Sequence, residues 1–357
     1  MPPSHQEQTV EALRVQAGWC EKLGSPLYHA FLLHMADDVA ASGICWKLLE
    51  PCTTPVLPLR FLGAIHGLVL EGRLPRLARF YPSAGGTADA EAAWPVLLAE
   101  LGRHGEMVSK RIPPVVQTNE VARCCALLPG FLEIVRHTGL PLRLLEIGCS
   151  AGLNLRWDRY RYETSHSAWG DAGSPLIFRD NFVNDLPPFD QPVHVMERCG
   201  CDLNPLDATT EHGRLTLLSF AWPDQEERLH RLTNAIEVAR AVPAVLECSD
   251  LNEWLERRLA KPCAGAATVV FHSIVLPYLS AATRERLNAL LAQAGERATV
   301  EAPLAWLSME TGGKEAEVRL TLWPGNHRRQ IATTGYHGRD VDLMPEVADA
   351  GEDHRQS

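Results

Sequence analysis

Apolar residues recur at three- and four-residue steps through 10–23, 27–39, 59–70 and 94–108. That spacing gathers them on one stripe of a helix. Turn formers interrupt the runs at Gly24-Ser25-Pro26, across 51–58 and across 81–87. The pattern predicts an N-terminal helical cap domain over residues 1–112, with almost no strand. Pro113-Pro114 ends it, and 121–137 predicts one more helix, with Thr118 or Asn119 placed to cap its start. Beyond Gly139-Leu140-Pro141 the period changes. Short apolar runs at 142–147, 194–201, 244–247, 267–274 and 298–301 read as strands, and helical patterns fall at 225–241, 251–259 and 281–294. This alternation predicts an α/β fold, a doubly wound and mostly parallel sheet with helices on both faces. Two alternating segments, 317–323 and 329–336, surround Pro324-Gly325-Asn326 and predict an antiparallel C-terminal hairpin at the sheet edge. The sheet domain is expected over 113–340, with insertions at about 156–190 and 209–241, and 341–357 is expected to be a flexible tail.

Composition narrows the partners. A chain of 357 residues has room for about two domains, and a hydrophobic fraction of 46% supplies a real core. The net charge of −10 argues against a nonspecific nucleic-acid binder, which carries a basic face. The first ten residues lack a signal pattern, and no apolar run approaches the ~20 residues a bilayer span needs. A cytoplasmic protein without a membrane partner is therefore expected. The 10 cysteines include no C-x-x-C pair, so Cys124-Cys125 and Cys199-x-Cys201 read as reduced core thiols. The 14 histidines show no H-E-x-x-H or similar spacing, and no metal site is expected.

The chemistry concentrates in the segment 142–155, L-R-L-L-E-I-G-C-S-A-G-L-N-L. An apolar strand ends in Glu146, and small residues follow at alternate positions: Gly148, Ser150 and Gly152. Small residues at such a turn let a ligand approach the backbone. A carboxylate two residues before the first glycine would repel phosphate, and suits a cationic or hydroxyl-rich ligand. Three further strand ends agree. Asp202, in G-C-D-L-N-P, is placed to accept two ribose hydroxyls, and Asp250, in C-S-D-L-N-E-W, to accept an adenine amine. F-H-S-I, at 271–274, lies where a reacting atom would sit. The first turn resembles the E/D-x-G-x-G-x-G motif of class I S-adenosylmethionine (SAM) methyltransferases, with serine at one glycine position.

That resemblance implies a Rossmann-like fold of the class I methyltransferase type, SAM as cofactor and transfer to a small molecule, in a pocket between the helical cap and the sheet. It implies a cofactor site of Glu146, Gly148, Ser150, Gly152, Asn154, Asp202, Asn204, Asp250 and Leu251. His272 is the candidate general base, since imidazole titrates near neutrality. Tyr278 joins it, and with Trp157 and Trp222 is a candidate for a cation–π contact to the sulfonium. Asn119, with Gln117 and Glu120, precedes the first strand and is a candidate for closing over the cofactor. One departure stands out: Asp202 lies more than twice the usual ~20 residues beyond the glycine turn. The intervening insertion, with Trp157, Tyr160, Tyr162 and Trp169, reads either as a lid or as an extension packed by its aromatics. Its Arg156, Arg159 and Arg161 are candidates to meet an acidic substrate. In Trp222-Pro223-Asp224-Gln225, Asp224 reads first as a helix cap.

The chain also resembles, over about 59–338, a large uncharacterised bacterial family known only as a domain of unknown function. The carriers are R-F-L-G-A-I-H, Y-P-S-A-G-G, Q-T-N-E, L-E-I-G-C-S-A-G-L-N-L-R-W-D-R-Y, G-C-D-L-N-P-L-D, W-P-D-Q, F-H-S-I-V and T-L-W-P-G. Other readings compete. G-C-S-A-G also spells the G-x-S-x-G elbow of serine hydrolases, with Ser150 as nucleophile and His272 or His337 completing a triad. That reading leaves Glu146, Asp202 and Asp250 without a role. A nicotinamide dehydrogenase would show G-x-G-x-x-G opening a long helix. A noncatalytic protein keeping the fold is a further alternative. Attack at another sulfonium carbon, including cyclisation, would use the same pocket. The N/D-P-P-Y motif of base methyltransferases is absent, so a nucleic-acid acceptor loses support.

Overall fold

The computed structural model describes residues 3–52, 56–113 and 115–345. The chain divides into two compact units, Met1–Asn119 with Leu206–Ala241, and Glu120–Pro205 with Val242–Ser357. The first unit is helical: α1 (His5–Lys22), α2 (Pro26–Ala40), α3 (Ile44–Leu49), α4 (Leu57–Leu70), α5 (Pro75–Ala78), α6 (Ala90–Arg111), α8 (Glu211–Phe220) and α9 (Glu226–Ala241). A capping box starts α1, where the Ser4 hydroxyl and the Glu7 carboxylate satisfy each other's backbone N–H groups. Leu13, Phe31, Leu32, Phe61, Ile65 and Leu97 meet in its core with Trp222.

The segment expected as an insertion of the sheet domain at 209–241 packs in this helical unit instead. Two contacts show why. A side chain at Gly63 on α4 would put its Cβ 2.9 Å from Phe220, so glycine lets the two helices approach closely. Asp224 reaches the start of α2, where Oδ2 accepts the Leu27 N–H at 2.9 Å and Oδ1 the Ser25 hydroxyl at 2.5 Å. Asp224 is thus a cap, though of α2, nearly 200 positions away, and not of the helix it was expected to open. Helix α8 is not prefigured, because E-H-G-R-L-T-L-L-S-F mixes glycine and threonine into a short stripe.

Among the described residues the second unit carries helix α7 (Arg123–Thr138) and eleven strands. Strands β1 (Leu142–Ile147), β5 (Val195–Asp202), β6 (Val245–Cys248), β7 (Ala267–Ser273) and β8 (Leu304–Thr311) are parallel. β9 (Ala316–Trp323), β10 (His327–Thr334) and β11 (Asp342–Leu343) continue the sheet as an antiparallel meander. The eight-stranded order is β11-β10-β9-β8-β7-β1-β5-β6. One face is covered by α10 (Leu251–Arg258) and α11 (Ala281–Glu296), whose Trp254, Leu255 and Leu287 pack with Leu145 and Val270. On the other face Phe131 of α7 meets Phe271 edge-on at 5.1 Å. The chain winds from β1 outward through β5 to β6, then returns to β7 on the opposite side of β1. That reversal is the topological switch point, where ligands of doubly wound sheets bind at the strand carboxyl ends.

Two expectations need correction, and the insertion takes a definite form. Residues 298–301 are not a strand: Thr299 and Ala302 close a tight turn on each other, and β8 begins only after Pro303. The insertion at 156–190 is a second small sheet of β2 (Arg161–Glu163), β3 (Ala168–Gly170) and β4 (Ile177–Arg179), in the order β3-β2-β4. The tail expected from 341 is ordered at its start, where Asp342–Leu343 pair with β10 and the Val341 N–H donates to the Asn181 carbonyl. From 346 onward it lies outside the described residues.

Candidate functional site at the carboxyl edge of the sheet

Strand β1 ends at Ile147, and the next residues alternate into left-handed backbone. Gly148, Ser150 and Gly152 have φ of 65°, 50° and 62°. Glycine is required at the two outer positions for space as well as conformation. A Cβ at Gly148 would lie 2.6 Å from a Val275 methyl, and one at Gly152 2.7 Å from a Leu246 methyl. Ser150 adopts this conformation despite its side chain, held by its N–H donating to Asp202 Oδ2 at 2.9 Å. At the end of β7, Ile274 also sits at φ 53°, which is strained for a β-branched residue. Two strained non-glycine residues therefore flank the switch point, a kind of place where folds retain strain for function.

Carboxylates ring this turn. Glu146 is 3% exposed, and its Oε2 has no hydrogen-bond partner. Burial drives its carboxyl well above the ordinary range. The Arg156 guanidinium opposes that rise, Asp202 adds to it, and a hydrogen bond from Asn154 opposes it again. Arg156 is itself buried, donating to the carbonyls of Gly152 at 2.6 Å and Val242 at 3.0 Å. Asp202, at the end of β5, accepts from Asn204 N–H at 2.8 Å as well as from Ser150. A carboxylate has about four acceptor positions, so two such bonds leave room for a diol. Asp250 follows β6 and caps α10, its Oδ1 accepting from Asn252 N–H at 2.9 Å and Glu253 N–H at 3.2 Å. Leu251 is the first residue of that helix, and Asn154 is buried with its Oδ1 facing the Cys124 thiol at 3.2 Å. The strands that carry Glu146, Asp202 and Asp250 are neighbours in the sheet.

The residues proposed for proton transfer are placed differently. His272 is fully buried, with Nδ1 2.7 Å from Glu310 Oε1 and Nε2 3.0 Å from Trp306 Nε1. An indole nitrogen only donates, so Nε2 is the acceptor and Nδ1 carries the hydrogen. Both ring nitrogens are closed, and His272 is not a general base here. The same closure removes it as the partner of Ser150 in a triad, and His337 directs Nδ1 at Glu120 Oε2, 3.2 Å away. Tyr278 is 80% exposed on a short turn, Leu276–Tyr278. Asn119 ends the first of the two segments that make up the helical unit. Trp157 is buried, stacked on Phe131 at 4.3 Å and on Trp169 at 5.4 Å, so its face meets aromatics and not a cation. Trp222 belongs to the helical core. Of the arginines, Arg161 is bound to Glu163 and the Gly170 carbonyl, while Arg159 pairs with Asp158.

Glu310, at the end of β8, is the strand-end residue the sequence reading missed. Its Oε1 accepts from Val275 N–H at 2.8 Å and Leu276 N–H at 3.3 Å as well as from His272. It thereby holds the loop whose Val275 packs on Gly148. The signal was present: A-W-L-S-M-E is an apolar-alternating run ending in an acid, as L-R-L-L-E is.

Among the described residues no helix is long and apolar enough to cross a membrane. No curated protein matches the chain. Among solved structures it is similar to that of Streptomyces venezuelae DesVI, with 14% sequence identity, 62% of this chain and 77% of that chain covered, and a TM-score of 0.23. A family model matches residues 10–342, nearly the whole length, and the chain belongs to that family, described as an uncharacterized protein conserved in bacteria (DUF2332).

Proposed function

We propose that this chain is a SAM-dependent transferase that moves a methyl group to a small molecule. One observation carries the reading: Glu146, Asp202 and Asp250 end three adjacent strands around a left-handed Gly148–Gly152 turn, beside the switch point of a doubly wound sheet. The fit to such a cofactor rests on the Glu146 Oε2, buried and without a partner, and on Gly148, exposed at the turn and itself without a side chain. Glu146 and the turn from Gly148 through Ser150 to Gly152 would hold the methionine part, with Asn154 orienting the carboxyl. Asp202 and Asn204 would receive the ribose hydroxyls, and Asp250 with Leu251 the adenine edge. Bound SAM supplies an activated methyl on a sulfonium. This chain's residues align it and exclude water, which is how binding accelerates such a transfer. With His272 closed, the reading places catalysis in alignment and desolvation rather than in an imidazole base.

Calorimetric titration with S-adenosylhomocysteine tests it. Micromolar binding is expected for the native chain, weakened at least tenfold in Asp202→Asn, a variant that keeps one oxygen for Ser150. A native chain, folded by circular dichroism, that takes up no S-adenosylhomocysteine overturns the proposal.

A further inference from the structure

The helical unit holds a second constellation that the SAM reading does not use. His66 on α4 is fully buried. Its Nδ1 lies 3.1 Å from the Ser219 carbonyl oxygen, and its Nε2 lies 2.7 Å from the Ser83 hydroxyl oxygen. A carbonyl only accepts, so Nδ1 carries the hydrogen and the Nε2 lone pair faces the Ser83 O–H. Burial lowers His66 to about 4, against the pull of backbone carbonyls including that of Ser219, so the imidazole is neutral at pH 7. Ser83 sits on the short turn Pro82–Ala84 within Y-P-S-A-G-G, its own N–H fixed by the Pro223 carbonyl at 3.0 Å. A nucleophile on a base that a third group orients is the recurring arrangement of covalent catalysis.

Ser83 also lines a cleft. The cavity measures about 580 Å³ and is bordered by Val69, Leu70, Leu218, Leu229 and Arg214. Its size falls within the roughly 300–1,000 Å³ of small-molecule sites. The N–H groups of Gly85 and Gly86 are spent inside the turn, on Pro82 and Tyr81. The cleft's cation is Arg214, steadied by Glu211 at 2.9 and 2.7 Å.

We infer that Ser83 and His66 form a nucleophile–base pair that cleaves carboxylic esters with an apolar acyl group. The Ser83 Oγ bonds to the carbonyl carbon while its proton passes to His66 Nε2. The C–O bond to the alcohol then breaks, and the departing oxygen takes that proton. Water repeats the sequence on the acyl-serine: it gives a proton to Nε2, bonds to the carbonyl carbon and releases the acid, and Ser83 Oγ recovers the proton. The apolar wall receives the acyl chain, and Arg214 faces the negative charge that develops on the carbonyl oxygen.

The test is labelling of the full chain with a fluorophosphonate, adducts located by peptide mass spectrometry, beside turnover of 4-nitrophenyl butyrate. The inference expects one adduct on Ser83 and none there in Ser83→Ala, with ester turnover falling to background. His66→Gln should slow labelling at least tenfold. Arg214→Met leaves the His66–Ser83 bond in place, and should cut turnover at least tenfold even if His66→Gln does not fold. A folded native chain unlabelled at Ser83, or turnover unchanged in Ser83→Ala, overturns it.

Discussion

Among the described residues each unit buries one histidine completely, and the two have opposite surroundings. His272, in the sheet unit, lies between the Glu310 carboxylate and the Trp306 indole. A charged acceptor and a pure donor use up both nitrogens, and the ring becomes a strut for the Ile274–Tyr278 loop. His66, in the helical unit, lies between a backbone carbonyl and a hydroxyl. The carbonyl only orients the ring, and the hydroxyl lines a cleft. Burial alone says nothing of function; the chemistry of the partners decides it. The same contrast runs through the arginines. The sheet unit closes Arg198 on Asp158, both oxygens at 2.7 Å and both side chains under a tenth exposed, whereas Arg214 faces a cleft.

The sharpest way to break the comparison is to open the sheet unit's closed charge. Asp158→Ala leaves the Arg198 guanidinium buried with only the Leu155 carbonyl, at 2.6 Å, as its remaining partner. Losing one half of a buried pair costs about 3–5 kcal/mol, read as a lower urea midpoint. A change below about 1 kcal/mol would show that this pair is solvated and not closed.

Next in size is the acid response of His66. Its folded value of about 4 lies below the 6.5 of a free histidine. The unfolded chain therefore binds the proton first as pH falls. Stability contributed by the neutral ring is complete above about 6.5, declines as pH drops below it, and levels off below about 4. The gap corresponds to about 3 kcal/mol across that window, in urea titrations at stepped pH. His66→Asn should flatten that slope. An equal slope in the variant assigns the acid sensitivity elsewhere.

The sheet edge was legible because its signals are local. An apolar run ending in an acid, followed by small residues, marks Glu146 and its turn, and the carboxylates of Asp202 and Asp250 follow from the same rule. The fifth strand shows where local reading fails. The segment 298–301 is apolar enough to pass for a strand, but it precedes Pro303, and the chain extends only afterwards. That slip displaced Glu310 from view and left His272 looking open. The helical unit hides its organisation for a different reason. His66 and Ser83 read separately as a histidine in an apolar stripe and a serine in a turn, and Ser219, which orients His66, lies 153 positions away. No periodicity reports a contact of that range.

Asp224 gives the smallest and cleanest test of that long-range assembly. Helix α2 has no cap from its own Ser25 side chain, and its first turn relies on Asp224 from the distant segment. Asp224→Asn keeps one oxygen and the shape, so it forfeits one acceptor and the charge that favours a helix start. Loss of a cap costs about 1 kcal/mol. If 206–241 is an integral part of the helical unit, this change near 224 should raise amide exchange at Leu27 and Tyr28, at the start of α2. Exchange confined to α9 would mean the segment folds beside the helical unit rather than within it, and the His66–Ser219 orientation would lose its support.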